Sequence, residues 1–163
     1  MAIRDIVIKG EPILRKKCRP VENFDNRLWL LLDDMRDTLI DSNGVGLAAP
    51  QVGIMRRIVI IDTGEQYVEM INPEITFTDG EQTGLEGCLS IPGKYGIVTR
   101  PNHVKAKYQD RMGNWCEIDG TELTARAICH ECDHLEGRLY IDVADRMLTD
   151  EELSRLERQE GDS

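Results

Sequence analysis

From Phe24 to Ile40 the apolar positions Phe24, Leu28, Leu31, Leu32, Met35 and Leu39 recur at steps of three and four. That spacing is one face of an amphipathic helix. Asn43-Gly44 follows it, predicting a stop and the opening of a glycine-rich loop. The period then changes. Ile58 to Ile61 is a short β-branched run, and Ile75 with Phe77 predicts another strand after Pro73. Val104, Ala106 and Tyr108 alternate with polar residues, Asp110 to Asn114 reads as a turn, and Trp115 to Ile118 completes a hairpin. A second helix is predicted from Thr121 to Glu136, with Gly137 as its stop. Leu123, Ala127, His130 and His134 share one stripe of it, and Ile128, Cys132 and Leu135 add apolar positions, so this helix should be central and largely buried. The last helix is expected to begin at Thr149, with Glu152 completing a capping box and Leu148 and Leu153 available as a staple. Helices toward both ends and strands between them make the fold α+β, with antiparallel sheets packed around the central helix.

Composition narrows the class. A chain of 163 residues, undivided by any repeat, low-complexity segment or linker, is expected to form one domain over 1–163. A net charge of -10 argues against gripping nucleic acid or anionic lipid through the overall field. There is no apolar run long enough for a membrane helix, and Met1 to Lys9 lacks the pattern of a secretory signal. The expected compartment is therefore cytoplasmic: bacterial cytosol, or an organelle if a transit peptide has been removed. Five cysteines, an odd number, cannot all pair within the chain, which fits a reducing compartment and raises the question of metal or catalysis.

The strongest chemical signal is His130-Glu131-Cys132-Asp133-His134. Histidines four apart on a helix differ by about 40° in direction, so both rings can reach one ion, while Glu131 can contact an attacking water. Alone, such a pattern also arises where histidines simply cap or pack. Two of the chain's three histidines sit here, however, on a stripe that reads as buried; His103 lies in a polar stretch and reads as a surface residue. A catalytic site needs a third protein ligand. No histidine follows His134, and Glu136 is too close on the same helix, so the search turns upstream to Cys88 in Glu86-Gly87-Cys88-Leu89-Ser90. Read by itself, Cys88 is more often an inert buried thiol. Pro92 should end regular structure soon after it. The third element, Gly44 to Gln51, lacks the Lys-Ser/Thr of a phosphate loop. It suits a substrate running close to backbone, with the neutral amide of Gln51 able to stabilise an oxyanion.

Taken together, GVGLAAPQ, EGCLS and HECDH, in this order and spacing, resemble the three signature motifs of the peptide deformylase family. Flanking sequence agrees from Glu11-Pro12-Ile13-Leu14-Arg15 to Asp142. The resemblance implies a metallohydrolase that removes the formyl group from formyl-methionyl nascent polypeptides by attack of metal-bound water, releasing formate. It implies that Cys88, His130 and His134 hold one divalent ion, Fe²⁺ in the cell, with Zn²⁺, Ni²⁺ or Co²⁺ able to take its place; ligand chemistry alone points to zinc. By the same resemblance Glu131 moves the proton, and Gln51 and the backbone N–H of Leu89 face the oxyanion. The peptide lies extended between the backbone near Val45-Gly46 and that near Gly93-Lys94-Tyr95, and Leu123 and Ala127 line its side-chain pocket with Val45. Glu86 and Arg100 are expected as an ion pair behind the site, with Asp133 orienting a ligand or another local group; an ordinary structural salt bridge or a solvated charge is the alternative for each. Arg126 departs from the apolar residue frequent at its position in relatives, and Tyr95 from a basic one found in some. Cys129 and Cys132 read as packing residues. Some bacterial members dock on the ribosome through a basic C-terminal helix; Thr149 to Ser163 holds six acidic and two basic residues, so transient ribosome contact would not use that route. The H-E-x-x-H pattern is shared with metallopeptidases, but these need another third ligand and leave EGCLS unexplained. A non-catalytic relative is the other alternative, although Glu131, Gln51 and all three ligands are present.

Overall fold

The apolar stripe after Phe24 forms α1 (Asn26–Ser42), in a computed structural model that describes residues 2–161. Met1, Asp162 and Ser163, the ends of the expected 1–163 domain, lie outside the described residues. Asp25 caps α1, its carboxylate accepting from Leu28 N–H at 3.3 Å, and Asn43 ends it in the left-handed region at φ 56°. Leu28, Leu31, Leu32, Met35 and Leu39 are buried. Each contributes about 1.5–3 kcal/mol of burial.

That face packs on a five-stranded antiparallel sheet of order β1-β2-β3-β6-β7. Its strands are β1 (Gly46–Ala48), β2 (Ile58–Asp62), β3 (Tyr67–Asp79), β6 (His103–Gln109) and β7 (Trp115–Thr121). β2 explains its unbroken apolar run: Ile58 and Ile60 face α1, while Val59 and Ile61 face α2 (Leu123–Leu135) on the other side. A strand covered on both faces has no polar position to alternate with. The predicted hairpin is β6–β7, in continuous register from His103↔Thr121 to Gln109↔Trp115.

A second sheet, order β4-β5-β8, lies across α2 and is made of β4 (Gln82–Cys88), β5 (Ile91–Arg100) and β8 (Arg146–Met147). Leu14, Ile91, Val98, Leu139 and Tyr140 form its core; Tyr140 opens the short α3 (Tyr140–Val143). The flanking segments quoted above meet here, as Arg15 pairs with Asp142. α2 thus packs against β1, β2, β6 and β7 on one side and β5 on the other, the central position expected of it. The last helix, α4 (Asp150–Gly161), starts with the anticipated capping box: Glu152 N–H donates to Thr149 Oγ1 at 3.2 Å and Thr149 N–H to Glu152 Oε1 at 3.0 Å.

Three expectations need correction. Pro92 does not end regular structure but lies inside β5. It is tolerated because the β4–β5 ladder is interrupted there: pairing passes from Cys88↔Ile91 to Glu86↔Gly96, leaving Pro92 to Tyr95 bulged out. Ile75 and Phe77 are not a separate strand after Pro73 but the end of the long β3, which passes Asn72-Pro73 through a register shift with Asn72 at φ 52°. The second helix begins at Leu123, since Thr121 still belongs to β7.

Candidate functional site

α2 and the β4–β5 hairpin together build the site. Cys88 is the last residue of β4, set by a tight turn in which it pairs with Ile91. That turn carries its thiol to α2, where Sγ lies 3.4 Å from His134 Nε2. The donor atoms of Cys88, His130 and His134 all lie within 4.8 Å of one another. His130 stacks on Tyr140 with ring centroids 6.0 Å apart, and its Nδ1 lies 2.8 Å from Glu86 Oε1 on β4.

Glu86 fixes which nitrogen of His130 faces the cluster. Burial favours its neutral acid, but hydrogen bonds from His130 and Arg100 outweigh that and hold the carboxyl at about 2. An ionised carboxylate can only accept, so His130 Nδ1 carries a hydrogen and Nε2 is the nitrogen turned toward the cluster. The expected Glu86–Arg100 pair is present and bidentate, Nε to Oε2 at 2.9 Å and Nη2 to Oε1 at 3.0 Å. Arg100 also donates to Asp133 Oδ2 at 2.7 Å, so Asp133 orients Arg100 and touches no ligand. His134 is pushed down to about 3 by burial and by His130 beside it, which keeps it the neutral imidazole that ligates metals.

The donor set fits a divalent cation. Burial works against charge on His130, yet Glu131, Cys88 and Glu86 push it up to about 10, so the cluster draws positive charge to itself. Glu131 Oε1 is buried with no hydrogen-bond partner among the described residues. Such an atom costs about 1–3 kcal/mol unless something absent from the protein donates to it. Burial pushes the Glu131 carboxyl up to about 7, in the range of a group that trades protons near neutrality. On its other side lies Gly46: a Cβ there would stand 2.4 Å from Glu131 Oε2. The backbone of β1 and the acid on α2 are that close only because position 46 has no side chain.

Around the cluster is a cleft of about 460 Å³, a size usual for sites of small ligands. It brings Val45, Gly46, Gln51, Leu89, Tyr95, Leu123 and Ala127 together with Cys88, His130 and Glu131; His134 lies deeper. Gln51 accepts from Ala48 N–H through Oε1 at 2.9 Å, which aims Nε2 at Ser90 Oγ (3.1 Å) and Cys88 Sγ (3.5 Å). β1 is an edge strand, hydrogen-bonded to β2 on one side only. Tyr95 packs over Gly87, whose missing Cβ would fall 2.8 Å from the ring. The Tyr95 carbonyl accepts from Leu148 N–H at 2.9 Å, so it is not free for an incoming strand. Ser90 and Tyr140 belong to the site and were not picked out from the sequence; a hydroxyl beside Cys88 and an aromatic six residues after His134 carry no spacing signal. All five cysteines are free; Cys129 of α2 packs in the core, and Cys132, on the same helix, packs half-buried against it. A larger cleft, of about 680 Å³, opens at the far end of α1 beside Leu28 and Arg56 and includes none of these residues.

A family model described as polypeptide deformylase matches residues 3–149. The chain is 56% identical to a peptide deformylase of Agathobacter rectalis over 150 residues, covering 92% of this chain and 95% of that one. Among solved structures it resembles the peptide deformylase of Thermotoga maritima, with a TM-score of 0.86 and 40% identity over 88% of this chain and 98% of the other. It also resembles an actinonin-bound class I type b peptide deformylase of Acinetobacter baumannii, at a TM-score of 0.84 and 37% identity, covering 89% and 100%.

Proposed function

The chain belongs to the polypeptide deformylase family and removes the formyl group from the N-terminus of nascent peptides, and we propose that Glu131, Gln51 and Leu89 carry this reaction at a metal held by Cys88, His130 and His134. The observation behind this is the cluster of three donors within 4.8 Å, with the buried, unpartnered Glu131 Oε1 beside it. When bound, the ion supplies a Lewis acid and lowers the pKa of the attacking water. Fe²⁺ is the ion proposed for the cell, with Zn²⁺, Ni²⁺ or Co²⁺ able to occupy the same ligands.

Glu131 takes the proton from the attacking water and returns it to the departing methionine amine. Gln51 Nε2, already aimed at the cluster through the Ala48 bond to Oε1, donates to the formyl oxygen as charge develops there, together with Leu89 N–H. Losing one such donor costs about 3–4 kcal/mol of transition-state stabilisation. The peptide lies extended along the open edge of β1, using the backbone of Val45 and Gly46 other than the Val45 carbonyl, which Asp62 N–H occupies at 2.7 Å. Opposite it are Gly93 and Lys94 rather than the Tyr95 carbonyl, which Leu148 occupies. Tyr95 contributes its ring. The methionine side chain enters between Val45, Leu123 and Ala127.

The whole of 1–163 serves as one catalytic domain, working in the cytoplasm. No helix of the described residues is long and apolar enough to cross a membrane. Any ribosome contact is transient and does not run through the acidic last helix.

Formate release from a formyl-methionyl peptide, with anaerobically prepared Fe²⁺ protein beside Glu131→Ala, tests the assignment. Activity in the parent and near-complete loss in the variant, with metal retained, supports it. A fully metallated parent that releases no formate would leave only a metal- or peptide-binding relative.

A further inference from the structure

Arg126 lies one turn before His130 and lines the cleft next to Ala127. From that position it could act as a selector, using its charge to hold an acidic side chain of the substrate. Both of its terminal nitrogens are already committed elsewhere. Nη1 donates to Glu86 Oε2 at 2.6 Å and to Val98 O at 3.2 Å, and Nη2 donates to Val98 O at 3.2 Å. The guanidinium is drawn back against β4 and β5, where Gly84 leaves it room: a Cβ at 84 would already touch Nη2 at 3.4 Å.

Charge and contacts show what it does there. Arg100 serves two carboxylates, Glu86 and Asp133, all three largely buried, and Asp133 has a further partner in the exposed Arg138 at 3.2 Å. Glu86 is the more deeply buried of the two and has to share Arg100 with Asp133. Arg126 gives it a guanidinium of its own, in a region where an unbalanced ion is expensive. Geometry agrees. Glu86 Oε1 holds His130 Nδ1 and also accepts from Arg100 Nη2, while Oε2 is held from one side by Arg100 Nε and from the other by Arg126 Nη1. Without Arg126 the carboxylate keeps the Arg100 fork but loses its second anchor at Oε2, and can move with Arg100, loosening Oε1 from His130.

We infer that Arg126 is a positioning residue of the metal centre, clamping Glu86 with Arg100 so that His130 is held in the orientation that ligates, and that only its methylene stem faces the substrate cleft. This deepens the role of Cys88, His130 and His134 as ligands and rests on it. Groups that hold a ligating histidine from behind typically alter metal affinity by about 10–100-fold. A selector would instead alter which first residue is accepted and leave the metal alone.

The test uses Co²⁺-loaded protein with Arg126→Met, which keeps an unbranched stem without the charge, and Arg126→Lys, which keeps charge without the fork. Three quantities are read: cobalt release to a chelator, the visible Co²⁺ spectrum, and the kcat/KM ratio for formyl-norleucyl against formyl-glutamyl peptides. Arg126→Met should release cobalt about 10–100-fold faster, with a shifted spectrum and an unchanged peptide ratio; Arg126→Lys should fall between it and the parent. Parent-like cobalt release in Arg126→Met, with or without a lower Tm, would reduce Arg126 to a structural ion pair and overturn the inference. A peptide ratio that moves toward the acidic substrate or away from it, with cobalt held, would make it a selector. If Arg126→Met does not fold, Arg126→Lys decides: faster cobalt release at a parent-like Tm supports the clamp, and the parent rate overturns it. Cobalt release needs no turnover, so a parent that binds cobalt yet releases no formate would defeat the deformylase assignment while leaving this comparison intact.

Discussion

Gly46→Ala isolates the close approach between β1 and Glu131. The added Cβ would stand 2.4 Å from Glu131 Oε2 and 2.8 Å from both Cδ and Cγ, whereas ordinary contact begins at 3.4 Å. The groups must therefore part by about 1 Å, and neither can do so freely. Glu131 is 4% exposed, walled in by α2 and its neighbours, and Gly46 is locked to β2 opposite Ile61. A displacement of about 1 Å at a reacting group costs on the order of 100-fold in rate. Overpacking of this kind costs about 1–3 kcal/mol of stability. Gly46→Ala should thus lower kcat for formate release by about two orders of magnitude while the protein stays folded and its metal stays bound. The assay is steady-state formate release beside metal content and a thermal melt. Pairing it with Glu131→Asp sharpens the reasoning, because the shorter acid removes Oε2, the atom the methyl group would meet most closely, at 2.4 Å. The two losses should then combine to less than their product, as expected for groups in contact. Activity within threefold of the parent would refute the argument, as would loss of activity through loss of metal.

Other parts of the molecule give separate tests. Burial favours the neutral acid of Asp34, but hydrogen bonds from Ala2 N–H and Arg4 outweigh it and hold the carboxyl below its ordinary 3.8, so its contribution is complete above that value and lost as pH falls through the lower folded value. Asp34→Asn should cost about 1.5 kcal/mol near pH 7, and urea melts should show the gap closing below pH 3.8; a gap of constant size would count against it. Gly137 adopts φ 75°, and a Cβ there would lie 2.6 Å from the Arg15 backbone carbon and oxygen. Gly137→Ala should therefore lose at least about 2 kcal/mol in a denaturant melt, far more than Gly53→Ala, where the φ is also positive but the space is open. Removing the metal should lower the Tm and raise amide exchange in the β4–β5 hairpin more than in the five-stranded sheet, because Cys88 ties that hairpin to α2; equal exchange in both sheets would disprove the coupling.

The central helix was legible because its signal is doubled: a stripe of buried positions and a metal pattern fall on the same residues, Leu123 to His134. α1 and the β6–β7 hairpin were equally plain, each having one solvated face and hence a clear period. β4 and β5 were not. Gln82 to Cys88 carries one large apolar residue, Leu85, and that one is exposed, while Ile91 to Tyr95 contains a proline and a glycine. Their strand character comes from pairing with each other, which no local pattern encodes. The donor cluster of Cys88, His130 and His134 could be named from two short motifs, but the partners of Arg126 could not. Its position on the helix predicts a cleft residue; its partners Glu86 and Val98 lie 40 and 28 residues away in sequence, and only the second sheet brings them together.

That second sheet also explains why the third ligand comes from outside the helix. Two histidines and Glu131 already occupy the turn of α2 that faces the cleft, and a third donor from the same turn would have to displace one of them. Taking it from β4 solves this and adds a constraint. Cys88 and Glu86 lie two apart on one strand, so the strand that supplies the sulfur donor also supplies the carboxylate that orients His130. A shift of β4 along α2 would move both together. The Cys88–Ile91 turn and the bulge at Pro92 to Tyr95 set the position of the strand end, and Arg100 and Arg126 hold it through Glu86. Gly46 completes the arrangement from the opposite sheet by allowing β1 to press against Glu131. Glu131, proposed to move the proton, is thus positioned by one sheet and the Cys88 donor by the other, with α2 as the element common to both.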